Sequence, residues 1–148
     1  MDNSVSPEAL SLIIELSFVT LIIASFAVSV MFILSQQRLA RILAKQNGSY
    51  KIHGAWLWTQ LLPLWSYIAL VVVAVKLDDQ IKIYQSKHNQ TLKFKGVLVY
   101  WYVGLTILNL VPLINIATTI ISLVLFIIIW SNIAKTTKQL LEKDNLEN

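Results

Sequence analysis

Residues 96–134 form a run of 39 without one charged side chain, closed at its ends by Lys95 and Lys135. A straight helix of that length would measure about 58 Å at ~1.5 Å per residue, nearly twice a hydrocarbon core of ~30 Å, so the run is expected to double back once and cross twice. Asn109, Pro112 and Asn115 supply the turn. Two more uncharged runs, 16–37 and 54–75, bring the count to four candidate membrane helices in 148 residues. The expected fold is therefore all-α: a polytopic membrane protein, one domain over 1–148, folded as a four-transmembrane-helix bundle. Its helices are predicted at about 7–46, 55–86, 96–110 and 112–142, with amphipathic extensions.

Composition points the same way. A hydrophobic fraction of 56%, a charged fraction of 14% and a mean hydropathy of +0.65 are too apolar for a domain that must keep a polar exterior. With no cysteine, the chain has no disulfide, no thiolate metal site and no Cys nucleophile. The net charge of +4 lies in the connections and the tail, next to the apolar runs. Basic residues so placed serve topology and attraction to anionic lipid, so membrane lipids are expected partners and nucleic acid is not.

The first apolar run reads as a retained helix. A secretory leader needs a basic start and a short apolar core, whereas Asp2 and Glu8 precede a run of more than 20 residues without a small-residue cleavage pattern. Ser6, Pro7 and Glu8 form a helix start: the hydroxyl accepts from orphan amides, proline suits the first helical position, and an acid complements the dipole. Past Leu34 the pattern turns amphipathic, with Leu39, Ile42 and Leu43 opposite Arg38, Arg41 and Lys45, until Asn47-Gly48 ends it. Past Lys76, Leu77, Ile81 and Tyr84 share a face and Asp78 precedes Lys82 by four positions, a favourable pair. The last helix repeats the pattern, with Ile133, Leu140 and Leu141 opposite Lys135, Lys138 and Glu142.

Two charge arguments conflict over orientation. No Lys or Arg precedes the first run and Arg38, Arg41, Lys45 and Lys51 follow it, which favours an outside amino-terminal end. With four spans and both termini inside, however, eight of the twelve basic residues are cytoplasmic. A third arrangement makes the segment around Pro63 a re-entrant hairpin and puts all twelve inside. Since 22 uncharged residues suit one crossing better than two half-crossings, the expected topology is four spans with both ends cytoplasmic.

Polar residues within the runs align on helical faces. Ser11, Glu15, Ser25, Ser29 and Gln36 share one face of the first helix, and Ser17, Thr20, Ala24 and Ala27 make a second, small-residue stripe. Thr59, Gln60, Pro63, Ser66 and Tyr67 cluster on the second helix. Tyr102, Thr106 and Asn109 align on the third, and Asn115, Thr118, Thr119 and Ser122 on the fourth. Two readings are open. These groups hydrogen-bond across helices or back to their own backbone, which is how bundles pack in lipid. Alternatively they line a polar path for an ion or small solute, through Glu15, Ser25, Ser29, Gln60, Ser66, Asn109, Asn115 and Thr119. Glu15 is the sharpest candidate, as the one ionisable residue within a span, though its depth near the helix start lets the carboxyl reach water. Pro63 removes a donor in mid-run and frees the Thr59 carbonyl, so it is the expected kink and hinge candidate. Trp56, Trp58, Tyr100, Trp101, Tyr102 and Trp130 fall where interfacial anchors sit.

No catalytic constellation is present, and no enzyme, cofactor or metal site is expected. His53 and His88 are single residues in different connections, and Asp78 and Asp79, as neighbours on a helix, point ~100° apart. There is no glycine-rich phosphate loop, nucleophile elbow or zinc-helix pattern.

The segment 56–76, with its Trp-x-Trp, Leu-Leu-Pro63 and terminal Lys76, resembles small four-helix membrane proteins of bacteria. So do Val111-Pro112-Leu-Ile-Asn115 and Trp130-Ser-Asn-Ile-Ala-Lys135, and the region over which the resemblance extends covers about half the chain. The resemblance implies a bacterial inner-membrane location and a helical fold, and it carries no activity. The expected role is a non-enzymatic membrane subunit that associates, through its bundle and basic helix extensions, with another membrane protein or as a homo-oligomer; a small channel or transporter is the alternative.

Overall fold

The computed structural model describes residues 6–49, 52–62, 65–109 and 115–146. All secondary structure among them is helical: α1 (Pro7–Asn47), α2 (Gly54–Trp58) continued by a 3-10 turn (Thr59–Leu61), α3 (Trp65–His88), α4 (Val97–Leu108) and α5 (Asn115–Leu146). Two helices, rather than four, are long and apolar enough to cross a membrane: α1 and the stretch Ile116–Asn145 of α5. The chain divides into two compact units, Met1–Phe32 and Ile33–Asn148.

The first unit is the amino-terminal part of α1. Ser6 caps it as expected: its Oγ accepts from the Ala9 amide at 3.3 Å, and its carbonyl accepts from the Leu10 amide. Beyond Ala9, every side chain from Leu10 to Val28 is exposed, Leu21 at 65% and Phe18 at 64% among them. Because the apolar residues surround the axis, this segment has no dry side and no wet side.

The second unit packs the rest of α1 with the other four helices. Leu39, Leu43, Leu77, Ile81, Tyr84, Ile129, Ile133 and Leu140 are all fully buried. All but Ile129 belong to the apolar faces expected in the amphipathic extensions, of which Ile42 and Leu141 are half-buried, so these extensions form the core of a packed body. Gly48 stops α1 at φ +64, a conformation that costs glycine little, and the Ser49 amide reaches back to the Ala44 carbonyl at 3.1 Å. Asn89, at φ 49, ends α3 in the same left-handed region.

The expected continuous helix over 55–86 is two helical pieces. Leu62 precedes a proline, which disfavours helical geometry, and it is extended at φ −80, ψ 123. The Thr59 carbonyl, expected to be freed by Pro63, accepts from the Leu62 amide at 3.1 Å. Pro63 itself, the hinge candidate, lies outside the described residues, as do Pro112 and most of the expected 109–115 turn. The stack of Trp56 on Trp65, centroids 6.3 Å apart, holds the two pieces together. Uncharged α3, from Trp65 to Val75, is ~16 Å long, and α2 with its 3-10 turn is ~14 Å, so each arm reaches about half of a ~30 Å core.

The uncharged run 96–134 does double back. Phe94 donates its amide to Thr136 Oγ1 at 3.0 Å, and Tyr102 packs on Phe126 at 6.0 Å between centroids, so α4 runs antiparallel to α5. Thr118 and Ser122 of α5 are buried, and the Thr106 hydroxyl of α4 donates to the Tyr102 carbonyl of its own helix. α4 has 12 residues, ~18 Å of helix, and is shorter than a full crossing.

Candidate functional site

The carboxyl-terminal parts of α1, α3 and α5 lie side by side. Trp130 Nε1 donates to Ser35 Oγ at 3.1 Å, and Lys45 Nζ meets Asp144 Oδ2 at 3.1 Å, so α1 and α5 run parallel here. Asn47 Nδ2 donates to the Gln80 carbonyl at 2.8 Å, which ties α1 to α3. Tyr84 sits at the junction, 1% exposed, with the His88 ring stacked on it at 4.3 Å and Lys143 Nζ 5.7 Å from its centroid. The three ends carry polar and basic side chains. Arg38, Arg41, Lys45, Lys76, Lys82, Lys87, Lys93, Lys95, Lys135 and Lys138 are exposed, and no Lys or Arg occurs before Arg38.

Asp78 is more than half of a solvated pair. Its Oδ2 meets Lys82 at 2.8 Å and its Oδ1 accepts from the Gly96 amide at 3.1 Å, which pins the start of α4 to α3. A Cβ at position 96 would stand 3.1 Å from the Asp78 Cβ, so any other residue there would press on the Asp78 side chain. Partial burial would raise the carboxyl, but the Lys82 ammonium and the Gly96 amide outweigh it and hold Asp78 below the ordinary 3.8. Asp79 is exposed. Since the folded-state value is the lower one, the stabilisation is fully in place above pH 3.8 and is lost as pH falls through the depressed folded value. Unfolding followed by tryptophan fluorescence is expected to show this acid limb in the parent and a flatter one in Asp78→Asn.

The residues expected to line a polar path fall in both units. In the first unit Glu15 and Ser25 are exposed, and the Ser29 hydroxyl donates to the Ser25 carbonyl at 2.8 Å. In the second unit Gln60 Nε2 donates to Gln36 Oε1 at 2.7 Å, Ser66 and Asn109 are half-buried, and Thr119 is exposed. The Asn115 side chain lies outside the described residues. Thr20, Thr106 and Thr137 each return a hydroxyl to a carbonyl four residues back, the local satisfaction that lets such groups sit in an apolar helix.

Gln36, 2% exposed, and Gln60 are joined side chain to side chain. Gln36→Leu leaves the Gln60 amide without that acceptor and is expected to cost ~1–3 kcal/mol, most of it regained in Gln36→Leu/Gln60→Leu. A double-mutant cycle on unfolding free energies checks this.

Among the described residues no group of three or more His, Asp or Glu side chains is placed to hold a metal ion. His53 Nδ1 accepts from the Ala55 amide and so caps α2, while His88 stacks on Tyr84. The features sequence reasoning missed are the gathering of three helix ends and the tether from Asp78 to Gly96. Gly96, immediately before an apolar run, was the available signal for the tether.

The class defined by these features is, among the described residues, an all-helical protein with two helices long and apolar enough to cross a membrane. Comparison of the chain with family models, with curated proteins and with solved structures finds no match.

Proposed function

We propose that this chain is a non-enzymatic integral membrane subunit, of a bacterial inner membrane, that associates through its helices with another membrane protein or a second copy. The observation that carries the reading is the separation of two surfaces. Only 11% of the most apolar window of α1 and 22% of that of α5 is buried, unlike the core helices of a water-soluble protein, and every Lys and Arg lies elsewhere. Lipid accounts for the first surface and water with anionic headgroups for the second. Association follows from what lipid rejects: Glu15 and Ser25 stand exposed on a helix with apolar residues all round, and a neighbouring helix would satisfy them.

The half-length arms of the 54–75 run favour the re-entrant arrangement over four full crossings. α1 then crosses once, the α2–α3 hairpin enters and leaves on one side, and α4 with α5 enters and returns to that same side. All twelve basic residues face the cytoplasm and the Pro7 end of α1 faces away from it, which resolves the conflict between first-helix flanks and whole-chain charge.

Reconstitution into vesicles tests the role. A subunit gives no ion flux, and in native membranes Ala24→Cys, on the small-residue stripe, cross-links to a second copy or a defined partner while Ile23→Cys does not. Flux that disappears in Glu15→Gln would replace this reading with the channel.

A further inference from the structure

Between α1 and α5, where apolar surface gives way to charge, a cavity of about 230 Å³ opens, lined by Ser35, Arg38, Ala134, Thr137, Lys138 and Leu141. We propose that it holds the phosphate of an anionic phospholipid headgroup, which extends the membrane reading above and rests on it. Its depth is set by neighbours. Trp130, bonded to Ser35 one turn above, is an aromatic at an interface position; Arg38 is the first basic residue of the chain, and Lys135 closes the uncharged run of α5. Phosphates of a leaflet lie at that level.

The two walls divide the work. Arg38, exposed on α1, offers a planar fork that matches two phosphate oxygens, and Lys138 on α5 adds a point charge opposite it. Lys138 also pairs with Glu142 at 3.6 Å, but with side chains 78% and 63% exposed that pair is weak and gives way to a better anion. The Thr137 hydroxyl is bonded to the Ile133 carbonyl at 2.8 Å, so recognition falls to the two cations. Ala134 and Leu141 form an apolar floor. Leu123 and Ile127, exposed on the same stripe of α5 above Ala134, continue that floor and give acyl chains a wall, which a free phosphate ion would not use. At ~30 Å³ per water, the cavity has room for a phosphate and its ester carbons.

The test uses full-length protein in phosphatidylcholine nanodiscs with rising phosphatidylglycerol, and reads retained phosphatidylglycerol by native mass spectrometry. R38Q/K138Q is expected to lose at least about tenfold more retention than K93Q/K95Q, which removes the same charge away from the cavity. Equal losses would mean diffuse attraction and overturn the site. Displacement of the lipid by millimolar inorganic phosphate would overturn its assignment to a headgroup. Failure of the site is distinct from failure of the membrane reading: in the latter, wild-type protein itself washes out of membranes in alkaline carbonate.

Discussion

Val19→Arg/Ile23→Arg is expected to keep the chain out of the bilayer. Both residues are exposed, at 52% and 63%, on the strip of α1 between the Glu15 face and the small-residue stripe, so neither substitution touches a packed contact. Each arginine costs ~2.5–3.5 kcal/mol near mid-helix, and the pair about 5–7 kcal/mol, enough to reverse insertion of an otherwise favourable segment. A carbonate-resistant fraction that falls from nearly all to nearly none would be the signature. Gln139→Arg, an equally exposed change in the basic part of α5, is expected to leave that fraction unaltered.

Tyr84→Ala is expected to destabilise the second unit by ~3–5 kcal/mol, the range for deleting a large buried aromatic. The ring is 1% exposed, and it supports His88 on one contact and Lys143 on another, so its removal loosens the ends of α3 and α5 together. Unfolding followed by tryptophan fluorescence measures the loss. Because the first unit does not contain this core, its helicity and membrane insertion are expected to survive the substitution.

Local signals in the sequence carried as far as local physics allows. Ser6 starts α1 and Gly48 stops it because capping and left-handed geometry depend on a few adjacent residues. The doubling back of 96–134 was legible from length alone, although α4 ends at Leu108, short of the expected 110, and α5 runs on to Leu146, past the expected 142. The 54–75 run was harder. Hydropathy is blind to where a helix breaks, and 22 uncharged residues suit one span; the extended residue before Pro63 turns them into two short arms instead. The polar residues were legible as faces and not as a site, since a hydroxyl that bonds to its own helix looks the same in sequence as one that bonds elsewhere. The tether from Asp78 to Gly96 joins residues 18 apart, a distance that no helical period connects.

Single cysteines placed in a chain that has none report directly on which surface faces which side. In sealed vesicles with the external face outward, an impermeant thiol reagent is expected to label Ser6→Cys at once and to reach Ser49→Cys, Ser86→Cys and Gln139→Cys only after permeabilisation. Labelling of Ser49→Cys from outside, with Ser6→Cys, Ser86→Cys and Gln139→Cys protected, would instead establish four crossings with both ends within.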